Sequence, residues 1–577
     1  MAVPARDASD GGPADGRPAD GRPAIRIASP AGKWILLTTV LGSGMALLDS
    51  TVVNVALPTI GRDLDASLAA LQWTVNGYML SLAGLILLGG SLGDRFGRRR
   101  IFVLGVVWFA AASLLCGLAP NVGVLIAARV LQGVGGALLT PGSLAIIQAS
   151  FHPDDRSRAI GLWSGFGGVG AAVGPFLGGW LVDGPGWRWV FLLNIPVALV
   201  CVPVALRHVP ESTGDTGRAT EPAGGPAGTG GPEKGRGPEN GRGRTAGGRG
   251  RTRSGGGTEI GSGTEIGRGP ARRRFDVLGA VLGALSLALV TYALIEAPNG
   301  SVLVPVTAVA GVAAGVAFVY VERRRPDPMM PLDIFASRQF TAVNLVTLCV
   351  YAAFGGFFFL TALQLQVVAG YSALQAGTAL LPTTALMLLF SARSGELSQR
   401  IGPRIPLTVG PLLCAAGMLL MLRVGQGASY LSDVLPALLV MGLGMVTLVA
   451  PLTATVLASV DTGRAGLASG INNAAARAAG LVAVAALPLL TGMGPEAYRS
   501  ADAFDAAFRR AMPLCAGVLV VGAVLAFTTV RRPPPGCLRP ECRRHGSLTA
   551  PPLEPERSRG TLGAEGPRGS RSSGTPG

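Results

Sequence analysis

The sequence predicts an all-α polytopic membrane protein with fourteen transmembrane helices, and three observations carry that expectation. Hydrophobic residues fill 49% of the 577 positions and charged residues only 14%, against about 25% charged in an ordinary soluble protein. Apolar runs of roughly 20 residues recur along the chain, each long enough at about 1.5 Å per residue to cross a hydrocarbon layer of about 30 Å. The polar stretches between them alternate between basic and acidic, as the two sides of a membrane demand. Seven Cys in a chain of this length exclude a disulfide-scaffolded secreted domain, which runs at roughly 8–10% Cys or more.

Taken in order, residues 1–33 form an Ala, Pro, Gly and Asp-rich leader. It has no charged stretch followed directly by an apolar run and cleavage site, so it reads as a disordered cytoplasmic leader. Apolar runs follow at 34–56, 71–92, 101–119, 123–148, 159–182 and 187–206, giving a six-helix bundle over 34–206. Residues 207–274 are Gly, Pro and Arg-rich with two GTEIG units at 257–261 and 263–267, the composition of a disordered linker. Two further runs at 275–297 and 303–321 make an extra central pair over 275–321. The runs 340–367, 374–396, 404–422, 432–458, 466–490 and 511–530 build a second six-helix bundle within 322–530, and residues 531–577 form a disordered tail.

With the N-terminus inside, Arg95, Arg98, Arg99, Arg100, Arg323 to Arg325, Arg400 and Arg404 all fall on the cytoplasmic side. The opposite loops carry Arg62, Asp63, Asp65, Asp183, Arg188, Glu296, Arg423, Glu496, Arg499, Asp502 and Asp505, an acidic sum. Fourteen spans then put both termini in the cytoplasm. The net charge of +16 could by itself suit a nucleic-acid partner. Segments 1–33, 207–274 and 531–577 supply +1, +6 and +5 of it. It therefore marks topology, with anionic-lipid contact at the basic segments, and the linker has no interleaved aromatics for base stacking.

Gly90-Ser-Leu-Gly-Asp94-Arg95-Phe-Gly97-Arg98-Arg99-Arg100 follows the second run. This resembles the signature loop of the major facilitator superfamily, in which the acid and the arginines are thought to latch the helices in one facing state. A weaker copy, Gly395-Glu-Leu-Ser-Gln399-Arg400-Ile-Gly402-Pro-Arg404, aligns Gly90 with Gly395, Asp94 with Gln399, Arg95 with Arg400 and Gly97 with Gly402. An internal repeat of this kind suits two halves around a midplane cavity. Leu48-Asp49-Ser-Thr-Val-Val-Asn54-Val-Ala-Leu-Pro58 is similar to an element of the fourteen-helix drug:proton antiporters. Gly170, Gly174, Pro175, Gly178 and Gly179 look like that family's antiporter motif in the fifth helix, and Trp187 to Pro196 matches its Trp-Arg-Trp-x-Phe-x-x-Asn-x-Pro element. The resemblance implies a major facilitator fold, two bundles of six helices with the extra pair between them. Physically, the Gly-Pro pattern also suits close helix packing with a kink.

Ionisable residues inside the hydrocarbon are functional candidates because they cost about 2.5–3.5 kcal/mol on insertion scales. Asp49, 15 residues into the first run, lies roughly 22 Å from the cytoplasmic side, and Arg129, 6 residues into the fourth, roughly 9 Å from the outside. In a layer of about 30 Å those depths agree within a turn, so the two can pair. Arg129-Val-Leu-Gln132-Gly133 resembles the family's fourth-helix element implicated in proton coupling. Asp49 and Arg129 are the candidate proton and substrate coupling pair; a static structural pair is the alternative. Asn54, Gln132, Gln364 and Arg477 are candidate cavity linings, as are Trp73, Tyr78 and Gln366, while Arg393 can snorkel to the interface.

Other chemistry is absent. The three His, at 152, 208 and 545, fall in predicted cytoplasmic segments, and no metal cluster or P-loop is present. We therefore expect a transporter and no enzyme, without cofactor, driven by a proton gradient. Its expected substrates are small amphipathic or cationic drugs or antibiotics exported across the plasma membrane. Alternatives are dedicated export of one endogenous metabolite, such as a self-made antibiotic, and a transport-inactive sensor.

Overall fold

The structure is a computed structural model that describes residues 25–213, 276–325, 328–460, 464–494 and 500–530. The leader before Ile25, the linker 214–275 and the tail from 531 lie outside the described residues. The described chain is helical throughout, apart from one isolated bridge between Ile25 and Phe151.

The first half comprises α1 (Pro30–Asp63), α2 (Leu68–Phe96), α3 (Arg98–Gly117), α4 (Val122–Ser150), α5 (Pro153–Asp183) and α6 (Arg188–Leu192) continued by α7 (Asn194–His208). The extra pair is α8 (Val277–Glu296) and α9 (Val304–Arg324). The second half comprises α10 (Arg338–Leu363), α11 (Ala373–Ala379) with α12 (Leu381–Ile401), α13 (Arg404–Leu420), α14 (Leu435–Ala458), α15 (Ala465–Thr491) and α16 (Ala501–Thr529). Ser29, Ser67, Asn121, Asp276, Ser337, Ser372 and Ser500 cap helix starts with their side-chain oxygens. Each satisfies a backbone N–H that the helix itself leaves open.

Thirteen of these stretches are long and apolar enough to cross a membrane, with α6 and α7 counted together and α11 joined to the start of α12. The glycine-rich α5 is not counted among them. Its 31 residues nevertheless extend about 46 Å, and it packs along α1 and onto α11 and α12. It completes the first set of six.

Several elements depart from the apolar runs. The first helix begins at Pro30, ahead of the run at 34, because Ser29 caps it and proline suits a first turn. The run 187–206 is broken at Leu193, where Pro196 cannot supply the N–H that Leu192 would accept. Pro382 stands just beyond the break between α11 and α12 in the same way. The run 340–367 ends in a π-helical turn, Gln364–Val368, with the Ala369 N–H donating to the Gln364 carbonyl at 3.0 Å.

Packing reproduces the repeat. In the first half α2 and α3 pack on α4, α1 on α5, and α7 on both α1 and α3. In the second half α12 and α13 pack on α14, α10 on α15, and α16 on both α10 and α13. The two bundles meet through α5 with α12 and α2 with α15, contacts that the same correspondence exchanges. At the backbone level, Gly97 (φ 107°) closes α2 and Gly402 (φ 83°) closes α12, both in the positive-φ region that glycine adopts without steric cost. The extra hairpin lies at the α2 and α15 side of this junction: α8 packs on both, and α9 packs mainly on α8.

Among the described residues, five hydrogen bonds tie the bundles together at the end opposite the Asp94 loop. Gln72 Nε2 donates to the carbonyls of Val484 and Ala485 at 2.6 and 3.4 Å, and Gln366 Nε2 to the carbonyl of Val55 at 2.9 Å. Asp183 accepts the N–H groups of Ala373 and Leu374 at 3.3 and 2.8 Å, so a carboxylate of one bundle caps a helix of the other.

Candidate functional site

The first bundle holds a polar network in an otherwise apolar interior. On α4, Arg129 and Gln132 stand three residues apart and so share a face, while Asp49 projects from α1. Arg129 Nη1 donates to Asp49 Oδ2 at 2.5 Å and to Gln132 Oε1 at 2.6 Å, and its Nε donates to the carbonyl of Thr74 on α2 at 3.0 Å. Gln132 Nε2 donates to Asp49 Oδ1 and to Ser113 Oγ on α3, both at 2.7 Å. Asn194 Nδ2, at the start of α7, reaches Asp49 Oδ1 at 3.4 Å and Ser113 Oγ at 3.2 Å. The rings of Tyr78 and Phe191 face the guanidinium at 4.3 and 5.8 Å.

Asp49 and Arg129 are each 1% exposed. A charge removed from water to that extent is tolerated only with a partner and hydrogen bonds on its remaining sites, and this cluster supplies both. The carboxylate accepts from three side chains, and donors or acceptors come from α1, α2, α3, α4 and α7. Changing the charge on Asp49 therefore bears on five helices at once. Sequence reasoning pairs Asp49 with Arg129, expects Gln132 as a cavity lining where the structure buries it in this network, and misses Ser113 and Asn194. Asn194 stands in the Trp187 to Pro196 element; Ser113 carries no sequence signal.

The Asp94 loop has partners within its own bundle. Arg98 donates from Nε to Asp94 Oδ1 at 2.9 Å. The counter-charge for Arg99 and Arg100 is Glu211, just beyond α7, at 3.5 and 3.7 Å, and Glu211 also accepts the Arg99 N–H at 3.1 Å. The Arg98 N–H donates to the Ser212 carbonyl at 2.9 Å. A Cβ on Gly97 would stand 2.5 Å from Glu211 Oε1. Arg95 lies over the Phe96 ring at 5.4 Å. In this state the loop clamps α2, α3 and the end of α7. Glu211 falls in the stretch that composition assigns to the linker, which is why the sequence does not single it out. Gly90 faces Pro141 of α4 at a Cβ distance of 3.5 Å.

The five antiporter-motif residues serve two interfaces. A Cβ on Gly174 would overlap Thr51, and one on Gly178 would meet Val52 at 2.9 Å, so α1 lies against this stripe of α5. Gly170 is looser, with Leu48 Cγ at 3.9 Å. Gly179 and the Pro175 carbonyl instead pack on α11, against Ala373, Leu374 and Gly377. The motif thus lets one helix approach its own bundle and the other bundle at once.

Two expected cavity linings sit elsewhere. Gln364 is fully buried inside the second bundle, donating to the Val424 carbonyl at 2.8 Å and Asp505 Oδ1 at 2.7 Å. Trp73 Nε1 donates to Glu296 of the extra hairpin at 3.3 Å, because its side of α2 faces α8. Asn54 is half-buried with its Oδ1 unpartnered, and Arg477 is half-buried at mid-span with its Nε unpartnered. Arg393 is exposed, over the Phe390 ring at 5.8 Å. Among the described residues no group of three metal-ligating side chains assembles.

Residues 39–485 match the sequence profile of the Major Facilitator Superfamily. The puromycin resistance protein pur8 of Streptomyces alboniger is 34% identical over 523 residues, covering 87% of this chain and 92% of that protein. The tetracenomycin C resistance and export protein of Streptomyces glaucescens is 33% identical, covering 79% of this chain and 75% of its own. The multidrug resistance protein Stp of Mycobacterium tuberculosis is also 33% identical, over 76% and 72% respectively. Among solved structures, a bacterial homologue of the lysosomal transporter Spinster, inward-facing and unoccupied, superposes with a TM-score of 0.56 at 17% identity over 88% of this chain and all of that one. The peptide transporter POT in complex with sulfate gives 0.59 at 13% identity over 87% and 96%.

Proposed function

The chain belongs to the major facilitator superfamily, a family of multi-pass membrane transporters and not of enzymes, and from that premise we propose that it exports antibiotic-like organic molecules in exchange for protons. The Asp94 loop lies on the cytoplasmic side in this reading. The observation that carries it is the buried contact between Asp49 and Arg129, completed by Gln132 and Asn194. A proton taken up by Asp49 removes the charge that Arg129 and two amides hold, and loosens α1 from α4 and α7. Its release restores the clamp. Helix rearrangement is thereby tied to one protonation event, with no covalent step.

Relatives from Streptomyces, whose names record resistance to or export of single compounds, support a second reading, a dedicated exporter of one compound. The test of coupling is uptake of amphipathic dyes into everted membrane vesicles under an imposed pH gradient. Export by exchange predicts uptake that an uncoupler abolishes; uptake indifferent to the gradient overturns it.

A further inference from the structure

The charge that faces the junction between the bundles at mid-depth is positive. Arg477 lies 12 residues into the 27-residue α15, near its middle, and forms no hydrogen bond or ion pair among the described residues. Its Nε is buried and unpartnered, while the side chain as a whole is only half-buried. Membrane arginines normally pair or face a water-filled space.

Helical register shows which way it faces. Gly470 of α15 lies against Leu87 of α2, and the Val484 carbonyl is bonded by Gln72 of α2. Arg477 stands seven residues from each, two helical turns, and so on the same α2-facing stripe. Three residues on, a Cβ at Gly480 would stand 3.6 Å from the Tyr351 carbonyl, so this part of α15 also lies against α10. One turn nearer the Asp94 end, Asn473 is exposed; toward the other end, Val484 is buried. The stripe passes from a closed to an open part of the junction, with Arg477 between.

Two more features point to a ligand. Asn76 is fully buried, and neither its side-chain oxygen nor its nitrogen has a partner. The antiparallel register set by Gln72 with Val484 and Leu87 with Gly470 brings Asn76 opposite Gly480, one turn from Arg477. On α10, Tyr351, Phe354 and Phe358 form a ladder of tilted rings with centroids 6.1 and 6.2 Å apart. The acid in the first bundle offers nothing to balance Arg477, because Asp49 is sealed behind Arg129, Gln132 and Asn194.

We propose that Arg477, with Asn76 one turn away, forms a recognition site for the anionic group of an aromatic substrate, a carboxylate or ionised phenol, whose rings lie along Tyr351, Phe354 and Phe358. An unpartnered guanidinium at this depth gains a charge-assisted hydrogen bond from an anion and repels a cation. This rests on the export reading for its physiological meaning, but the site itself is defined by binding.

The test measures binding of three probes with one ring system to the purified full-length protein: 2-naphthoate, 2-naphthamide and 2-naphthylmethylammonium. The expected order is naphthoate, then naphthamide, then the ammonium. Arg477→Gln weakens naphthoate at least about tenfold with naphthamide binding retained, which also reports an intact fold, and Arg477→Lys recovers part of the loss. Absent naphthoate binding, naphthoate binding unchanged in Arg477→Gln, or tighter binding of the ammonium overturns the proposal. Uptake of the same probes into everted vesicles is read separately. Arg477-dependent binding without gradient-driven uptake upholds the anion site and removes the export reading. Gradient-driven uptake together with naphthoate binding that Arg477→Gln leaves unaltered upholds export and removes the anion site.

Discussion

Gln132 bridges the ion pair: its Nε2 donates to Asp49 at 2.7 Å while its Oε1 accepts from Arg129 at 2.6 Å. The amide therefore serves both charges in a buried environment. Gln132→Leu strips one donor from the carboxylate and one acceptor from the guanidinium and leaves Ser113 with Asn194. Losing a buried partner costs about 1–3 kcal/mol. The expected result is a lowered melting temperature of the purified protein, with Gln132→Glu worse still because it sets a second acid beside Asp49.

Asp183 tests the clamp between bundles. Its carboxylate caps Ala373 and Leu374 across the junction, a contact available only while that end is closed. Asp183→Ala shifts the population away from the closed state. In a cysteine-free background, a cysteine introduced at Asn473, exposed in this state, then reacts more slowly with a membrane-impermeant maleimide.

Within the α5 motif, packing distances predict unequal tolerance. Gly174→Val and Gly178→Val drive side chains into Thr51 and Val52, overpacking of a kind that costs about 1–3 kcal/mol. Gly170→Ala meets nothing nearer than 3.9 Å and leaves transport near wild type. Dye uptake and thermal stability across the three variants check the order.

For the Asp94 loop, backbone strain outweighs the ion pairs. Glu211 and its arginine partners are partly exposed, and such pairs are worth about 0.2–1 kcal/mol. Gly97→Ala instead forces a Cβ onto a φ of 107° and toward Glu211. Gly97→Ala is expected to destabilise more than Glu211→Gln, and thermal unfolding of the two variants in parallel decides it.

The helices were legible because each apolar run must satisfy its backbone internally to cross a membrane. Helix rise alone brought Asp49 and Arg129 to one depth. What escaped were residues whose role depends on which helices become neighbours. Ser113 and Asn194 are small polar residues of a kind common in membrane helices, and Glu211 stands in a stretch whose composition reads as linker. Gln364 and Trp73 misled for the same reason: an amide or indole in an apolar run shows its depth, while its facing depends on packing that periodicity does not contain.

The central claim is that Asp49 carries the proton that drives exchange. In proteoliposomes, Asp49→Asn is nearly isosteric and keeps hydrogen bonds in reach of Gln132 and Asn194. The account predicts that it retains binding and substrate-for-substrate exchange while gradient-driven uptake and substrate-induced proton release fall to background. Proton release and gradient-driven uptake at wild-type levels in Asp49→Asn would contradict it.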